Sequence, residues 1–131
     1  MGVRFTKLMK TFRAYEIEVI EKLIGSTITD KELMFLKNYD GQAEYEYTGC
    51  GYFLSIKTDW LPDIEETFSE PAVVGNFGRI QSGFVIFFGN KELTIECHTW
   101  GEIEVPSNYR EMPVVISTPK INTIILNDKE T

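Results

Sequence analysis

Gly83-Phe84-Val85-Ile86-Phe87-Phe88-Gly89-Asn90-Lys91-Glu92-Leu93-Thr94-Ile95-Glu96-Cys97 is the stretch on which the fold turns. Phe84, Ile86 and Phe88 alternate with Val85 and Phe87, and Leu93, Ile95 and Cys97 alternate with Glu92, Thr94 and Glu96. A strand sends successive side chains to opposite faces, so each run has one apolar face. Two such runs joined by Gly-Asn predict a β-hairpin over residues 83–98 with its tip at Gly89-Asn90. That register sets Ile86 opposite Leu93 and Phe84 opposite Ile95. Cys97 then faces the core and His98 faces away from it.

Upstream of the hairpin the pattern changes period. Phe5, Leu8, Phe12, Tyr15, Val19 and Leu23 recur at spacings of three and four, which predicts a helix over residues 5–24. Gly25 is expected to end it in the left-handed conformation. Thr29-Asp30-Lys31-Glu32 fits a capping box, followed by a short helix through Leu36. Asn38 to Gly41 carries turn chemistry. From Ala43 to Trp60 the chain is rich in aromatic and β-branched residues, with Thr48-Gly49-Cys50-Gly51 interrupting a strand pattern. Pro62 to Pro71 reads as an acidic surface loop. Ala72–Val74, Val114–Ile116 and Ile121–Leu126 are further strand candidates. Helices first and mostly antiparallel strands after them define an α+β fold in a single domain, residues 1–131.

The 131 residues carry a net charge of −7. Phosphate backbones repel such a domain, so nucleic acid is not an expected partner, whereas a basic protein is steered toward it. No apolar run approaches the ~20 residues that span a bilayer, and no membrane association is expected. The N-terminal residues lack the pattern of an export signal. Two cysteines, Cys50 and Cys97, are too few for a disulfide scaffold, so a cytoplasmic location with reduced thiols is expected.

Glu96-Cys97-His98-Thr99-Trp100-Gly101-Glu102 holds the single histidine of the chain. Alternation separates Cys97 from His98, so they do not form a nucleophile–base dyad. Cys50, on another strand, is geometrically open to His98, with Glu96 as the orienting group. Glu96 and His98 share a face, but a metal site needs three or four ligands. Glu102 or Glu104 would have to complete it, and the bland reading of these carboxylates is solvation. No metal or cofactor is expected. Gly75-Asn76-Phe77-Gly78 lacks the lysine and helix of a phosphate loop. Trp100 is expected to cap the core, with an exposed binding anchor as the alternative.

Thr48-Gly49-Cys50-Gly51-Tyr52-Phe53-Leu54, Gly83 to Phe87, Glu92 to Glu102, Val105-Pro106 and Tyr109-Arg110 together resemble a family of small bacterial proteins of unassigned activity. Chains of this size and acidity are also similar to immunity proteins of bacterial toxin systems, including contact-dependent growth inhibition. The resemblance implies a cytoplasmic, non-catalytic antitoxin that binds and blocks a cognate toxin domain. In that role Asp63, Glu65, Glu66 and Glu70 meet a basic surface around an aromatic anchor, Tyr45, Tyr47 or Trp60. The alternatives are a small enzyme built on Cys50, His98 and Glu96, and a small-ligand module whose aromatic strands wrap a pocket.

Overall fold

The hairpin at the middle of the sequence is also the middle of the sheet. In this computed structural model, which describes residues 10–101 and 103–119, two helices precede seven strands. The helices are α1 (Ala14–Ile24) and α2 (Asp30–Asn38). The strands are β1 (Glu44–Tyr47), β2 (Gly51–Lys57), β3 (Glu66–Phe68), β4 (Val74–Phe77), β5 (Ile80–Gly89), β6 (Glu92–Thr99) and β7 (Val115–Ser117). A 3-10 turn at Tyr109–Glu111 precedes β7. The sheet runs β1-β2-β6-β5-β4-β7, with β3 also paired to β5, and all pairs are antiparallel. This is the α+β fold that the sequence predicts.

Only one face of the sheet is covered among the described residues. Tyr52, Leu54 and Ile56 of β2, Phe84, Ile86 and Phe88 of β5, and Leu93, Ile95 and Cys97 of β6 are all buried. They meet Tyr15, Val19, Ile20, Leu23 and Ile24 of α1 and Leu36 of α2 in one core. The opposite face carries Phe53, Ser55 and Lys57, Val85 and Phe87, and Glu92, Thr94, Glu96 and His98.

Several sequence expectations are corrected. The hairpin exists, but its loop is Asn90-Lys91, both at positive φ (53° and 58°). A two-residue turn of this hand requires left-handed backbone at both centres, which asparagine tolerates well. Gly89 stays in β5, opposite Glu92. Ile86 therefore pairs with Ile95 and Phe84 with Cys97, two residues from the expected register. A slip of two leaves every side chain on its expected face, so Cys97 is buried and His98 exposed.

The helix expected over residues 5–24 begins at Ala14. Residues 5–9 lie outside the described residues, and Lys10 to Arg13 are not helical. The Thr11 amide donates to the Tyr39 carbonyl at 2.8 Å, which ties the approach segment to the end of α2. Phe12 enters the core from that segment rather than from a helix. The Arg13 amide then donates to the Glu16 carboxylate at 2.8 Å, filling one of the vacant donors at the helix start. Gly25 ends α1 in the right-handed region, φ −57°, not the left-handed one. Space selects the glycine there, since a Cβ would lie 2.4 Å from the Glu21 carbonyl oxygen.

The capping box before α2 is present, with the Glu32 amide donating to Thr29 Oγ1 at 3.0 Å and the Thr29 amide to Glu32 Oε1 at 2.8 Å. Inside the expected acidic loop, Glu66–Phe68 forms β3 against β5. The strand expected at Ala72–Val74 lies at Val74–Phe77, and that at Val114–Ile116 lies at Val115–Ser117. The candidate strand Ile121–Leu126 lies outside the described residues.

Candidate functional site

The uncovered face of the sheet sets half-buried and exposed side chains in register. Register across β1, β2, β6 and β5 lines up Glu46, Phe53, Glu96 and Val85 in one row. Glu44, Ser55, Thr94 and Phe87 form the next row, and Lys57 stands opposite Glu92. Ser55 Oγ and Thr94 Oγ1 are hydrogen-bonded at 2.7 Å, so the polar pair in the middle of the face satisfies itself. The surface is thus mixed: Phe53, Val85 and Phe87 are apolar, Ser55, Thr94 and Glu96 stand among them, and Glu44, Glu46 and Glu92 border them.

At one side of this face lies a notch of 310 Å³, walled by Ala72, Val73, Phe84 and Val85, with Glu96, His98 and Trp100 at its lip. Its origin is topological. β3 pairs with β5 at Ile86 to Phe88 and β4 pairs with it at Ile80 to Gly83. The two strands share one edge of β5 and leave Phe84 and Val85 between them, where a single hydrogen bond, Phe84 amide to Val73 carbonyl at 3.2 Å, crosses the gap. Trp100 does not cap the core, contrary to the expectation from sequence. It is 46% exposed and lies over Gly83 on the outer face, its Nε1 2.8 Å from the place a Cβ would occupy.

The other sequence candidates separate into three groups. Trp60 lies flat on Phe35, with ring centroids 4.7 Å apart and planes at 8°. Lys91 Nζ donates to the Leu61 carbonyl at 3.5 Å, which ties the Trp60 segment to the β5–β6 tip. Asp63, Glu65 and Glu66 are exposed at this same end, with Glu66 opposite Phe88. Tyr45 and Tyr47 are elsewhere, on the edge strand β1 and on the covered side. Tyr45 sits between Tyr52, at 5.6 Å, and the Arg110 guanidinium, at 5.9 Å. The Tyr47 hydroxyl donates to the Val105 carbonyl. Glu70 is exposed beside the notch, one residue after Ser69.

The proposed catalytic set does not form a hydrogen-bonded chain. Gly51 lies opposite His98, and the Thr99 amide donates to the Cys50 carbonyl at 2.8 Å, so Cys50 is near the strand end that carries the imidazole. No hydrogen bond joins the Cys50 thiol, His98 and Glu96 among the described residues. Burial pushes the Cys97 thiol up to about 12, the opposite of what a nucleophile needs. Among the described residues no three His, Cys, Asp or Glu side chains come together to hold a metal ion. Glu102 lies outside the described residues.

Sequence reasoning missed the most elaborate polar cluster, which is buried. Arg110 Nε donates to Glu16 Oε2 at 2.7 Å, and Arg110 Nη2 to Glu16 Oε1 at 2.8 Å and to the Thr11 carbonyl at 2.6 Å. The Tyr52 hydroxyl donates to Glu16 Oε2 at 2.5 Å, and the Tyr15 hydroxyl lies 3.0 Å from that of Tyr52 and donates to the Arg110 carbonyl at 2.9 Å. Burial opposes the Arg110 charge, but the hydrogen bonds and charge of Glu16 outweigh it and hold the guanidinium above its ordinary range. Burial, then the Glu16 charge, pushes both tyrosines well up, so they remain neutral donors. Glu16 is fully buried, so the cluster is an internal clamp joining α1, β2 and the 3-10 turn. One signal was readable. Glu16 precedes Val19, Ile20 and Leu23 by three, four and seven residues, which places it on the apolar stripe of α1.

No family model, curated protein or solved structure matches this chain. Among the described residues no helix is long and apolar enough to cross a membrane.

Proposed function

We propose that this chain is a non-catalytic binding protein that presents the open face of its sheet to a basic protein partner. The particular role we propose is immunity, the blocking of a cognate bacterial toxin in the cytoplasm by covering its working surface. The observation that carries this reading is the uncovered face itself, on which Phe53, Val85 and Phe87 are interspersed with Ser55, Thr94 and Glu96 and bordered by Glu44, Glu46 and Glu92. Apolar side chains mixed with satisfied polar groups inside a charged border suit a non-obligate protein interface. The net charge of −7 supports a basic partner and fast, salt-dependent association. The acidic end at Asp63, Glu65 and Glu66, beside Trp60, extends the same field along the molecule.

The test is functional. The product of the neighbouring gene is expressed in a sensitive bacterial host with and without this chain. Growth arrest relieved by this chain, with a complex recovered by size exclusion, is the expected result. Arrest that continues unchanged, with no complex formed, removes the immunity reading.

A further inference from the structure

We propose that the notch beside Trp100 is a receptor for a single alkyl-guanidinium or alkyl-ammonium group, supplied by an arginine or lysine side chain of the partner. The source of the cation rests on the binding reading above; the chemistry of the notch does not.

Three features meet there. Ala72 and Val85 give the notch apolar side chains that suit the methylene stem of a long basic side chain, while Val73 and Phe84 turn theirs into the core. The volume of 310 Å³ holds the end of such a chain with a few waters, each of which takes about 30 Å³ in the liquid. The lip combines a carboxylate, Glu96, with an indole, the aromatic side chain that attracts cations most strongly. Glu96 makes no ion pair or hydrogen bond to a side chain among the described residues. His98, exposed two residues along the same face, offers a hydrogen-bond acceptor in its neutral form.

The Trp100 main chain is anchored and its indole rests against Gly83. The Trp100 amide donates to the Gln81 carbonyl at 3.1 Å. Its ring fills the space that any side chain at position 83 would need, which only glycine leaves free. An aromatic side chain already resting on the sheet loses less rotamer freedom on binding than a free one. An indole that merely shields Gly83 would explain its position equally well, but not the carboxylate and the apolar recess beside it. The cation reading accounts for all three.

The probes are N-acetyl-arginine methylamide, N-acetyl-lysine methylamide and the neutral N-acetyl-citrulline methylamide. They are titrated into the ¹⁵N-labelled protein while the Trp100 indole N–H and the His98 amide are followed. We expect both cationic probes to shift these signals, citrulline to leave them in place, and Glu96→Gln to weaken the arginine probe about ten-fold. Glu96 is on the outer face, so its amide leaves the fold intact and separates binding from stability. Equal shifts with citrulline, no shift with any probe, or a response confined to Trp60 overturns the proposal. A partner complex unaffected by Glu96→Gln and Trp100→Ala also overturns it, while leaving the binding reading in force. Probe binding at the notch with no protein partner recovered does the reverse.

Discussion

Glu16 and Arg110, 94 positions apart, meet in a two-pronged ion pair beneath Tyr52. The Glu16 side chain is fully buried and that of Arg110 is 11% exposed. Removing one member strands a charge away from water, which costs about 3–5 kcal/mol. Glu16→Ala is therefore expected to lower the stability by that amount in urea denaturation. The double variant Glu16→Leu with Arg110→Met should recover much of the loss, because an apolar pair leaves no charge behind. A loss below about 1 kcal/mol in the single variant would show that the clamp is not held as described.

Gly51 and Cys97 touch along their backbones at the start of β2. A Cβ at position 51 would lie 1.8 Å from the Cys97 carbonyl oxygen, a contact with main chain that cannot rotate away. Gly51→Ala must push β2 from β6 at the centre of the sheet. The expected cost is at least the ~1–3 kcal/mol of an overpacked core, read as a drop in Tm. Gly49→Ala is the comparison: its Cβ meets nothing within 4 Å, though its φ of 91° adds strain. A Gly51 variant as stable as the parent contradicts the close approach.

The two thiols should differ in reactivity. Cys97 is 1% exposed and its thiol is pushed up by burial to about 12, whereas Cys50 is partly exposed. Iodoacetamide at neutral pH is expected to modify Cys50 alone in the native protein and both thiols in denaturant, as counted by mass spectrometry. Rapid native labelling of Cys97 would place it outside the core.

The same burial sets a limit on alkaline stability. The folded thiol of Cys97 and the hydroxyls of Tyr15 and Tyr52 hold their protons above their ordinary ranges of 9.0 and 10.0. Above those values the unfolded chain releases protons that the folded chain keeps, so stability is full below pH 9.0 and falls as the pH rises toward 12. Equilibrium denaturation between neutrality and pH 11 should show this decline. A flat profile across that interval would be inconsistent with the buried hydroxyl pair.

The two acidic surfaces can be told apart by kinetics. Reversing Asp63, Glu65 and Glu66 to Lys changes the end of the sheet, and reversing Glu44, Glu46 and Glu96 changes its open face. Charges at a rim act through steering, screened over about 8 Å at physiological ionic strength, and those inside a contact act on dissociation as well. Once a partner is in hand, the first variant should slow association about ten-fold at low salt, and the second should also speed dissociation. Dissociation left unchanged by the open-face variant moves the contact elsewhere.

Local pattern made the faces of the sheet legible. Alternation assigned Cys97 inward and His98 outward even though the hairpin loop was displaced to Asn90-Lys91, because a period of two is indifferent to a shift of two. Thr29 and Glu32 were readable because a cap is a local bond. The start of α1 was not, since the spacing of Phe5, Leu8 and Phe12 continues the helical period while Thr11 bonds instead to Tyr39, far along the chain. Neither the meeting of Glu16 with Arg110 nor the notch was visible in sequence. The first depends on a turn near the C-terminal end of the described chain, and the second on two strands sharing one edge of β5.

The edge strand β1 reads Glu44-Tyr45-Glu46-Tyr47, is exposed at every residue, and has a partner on one side only among the described residues. Such an edge is a template on which further chains add as strands. Two carboxylates in a strand of four residues, set beside like charges on any second copy, oppose that addition. The same glutamates that border the open face thus guard the protein against fibrous self-assembly, and a neutral β1 would remove this protection against aggregation at high concentration.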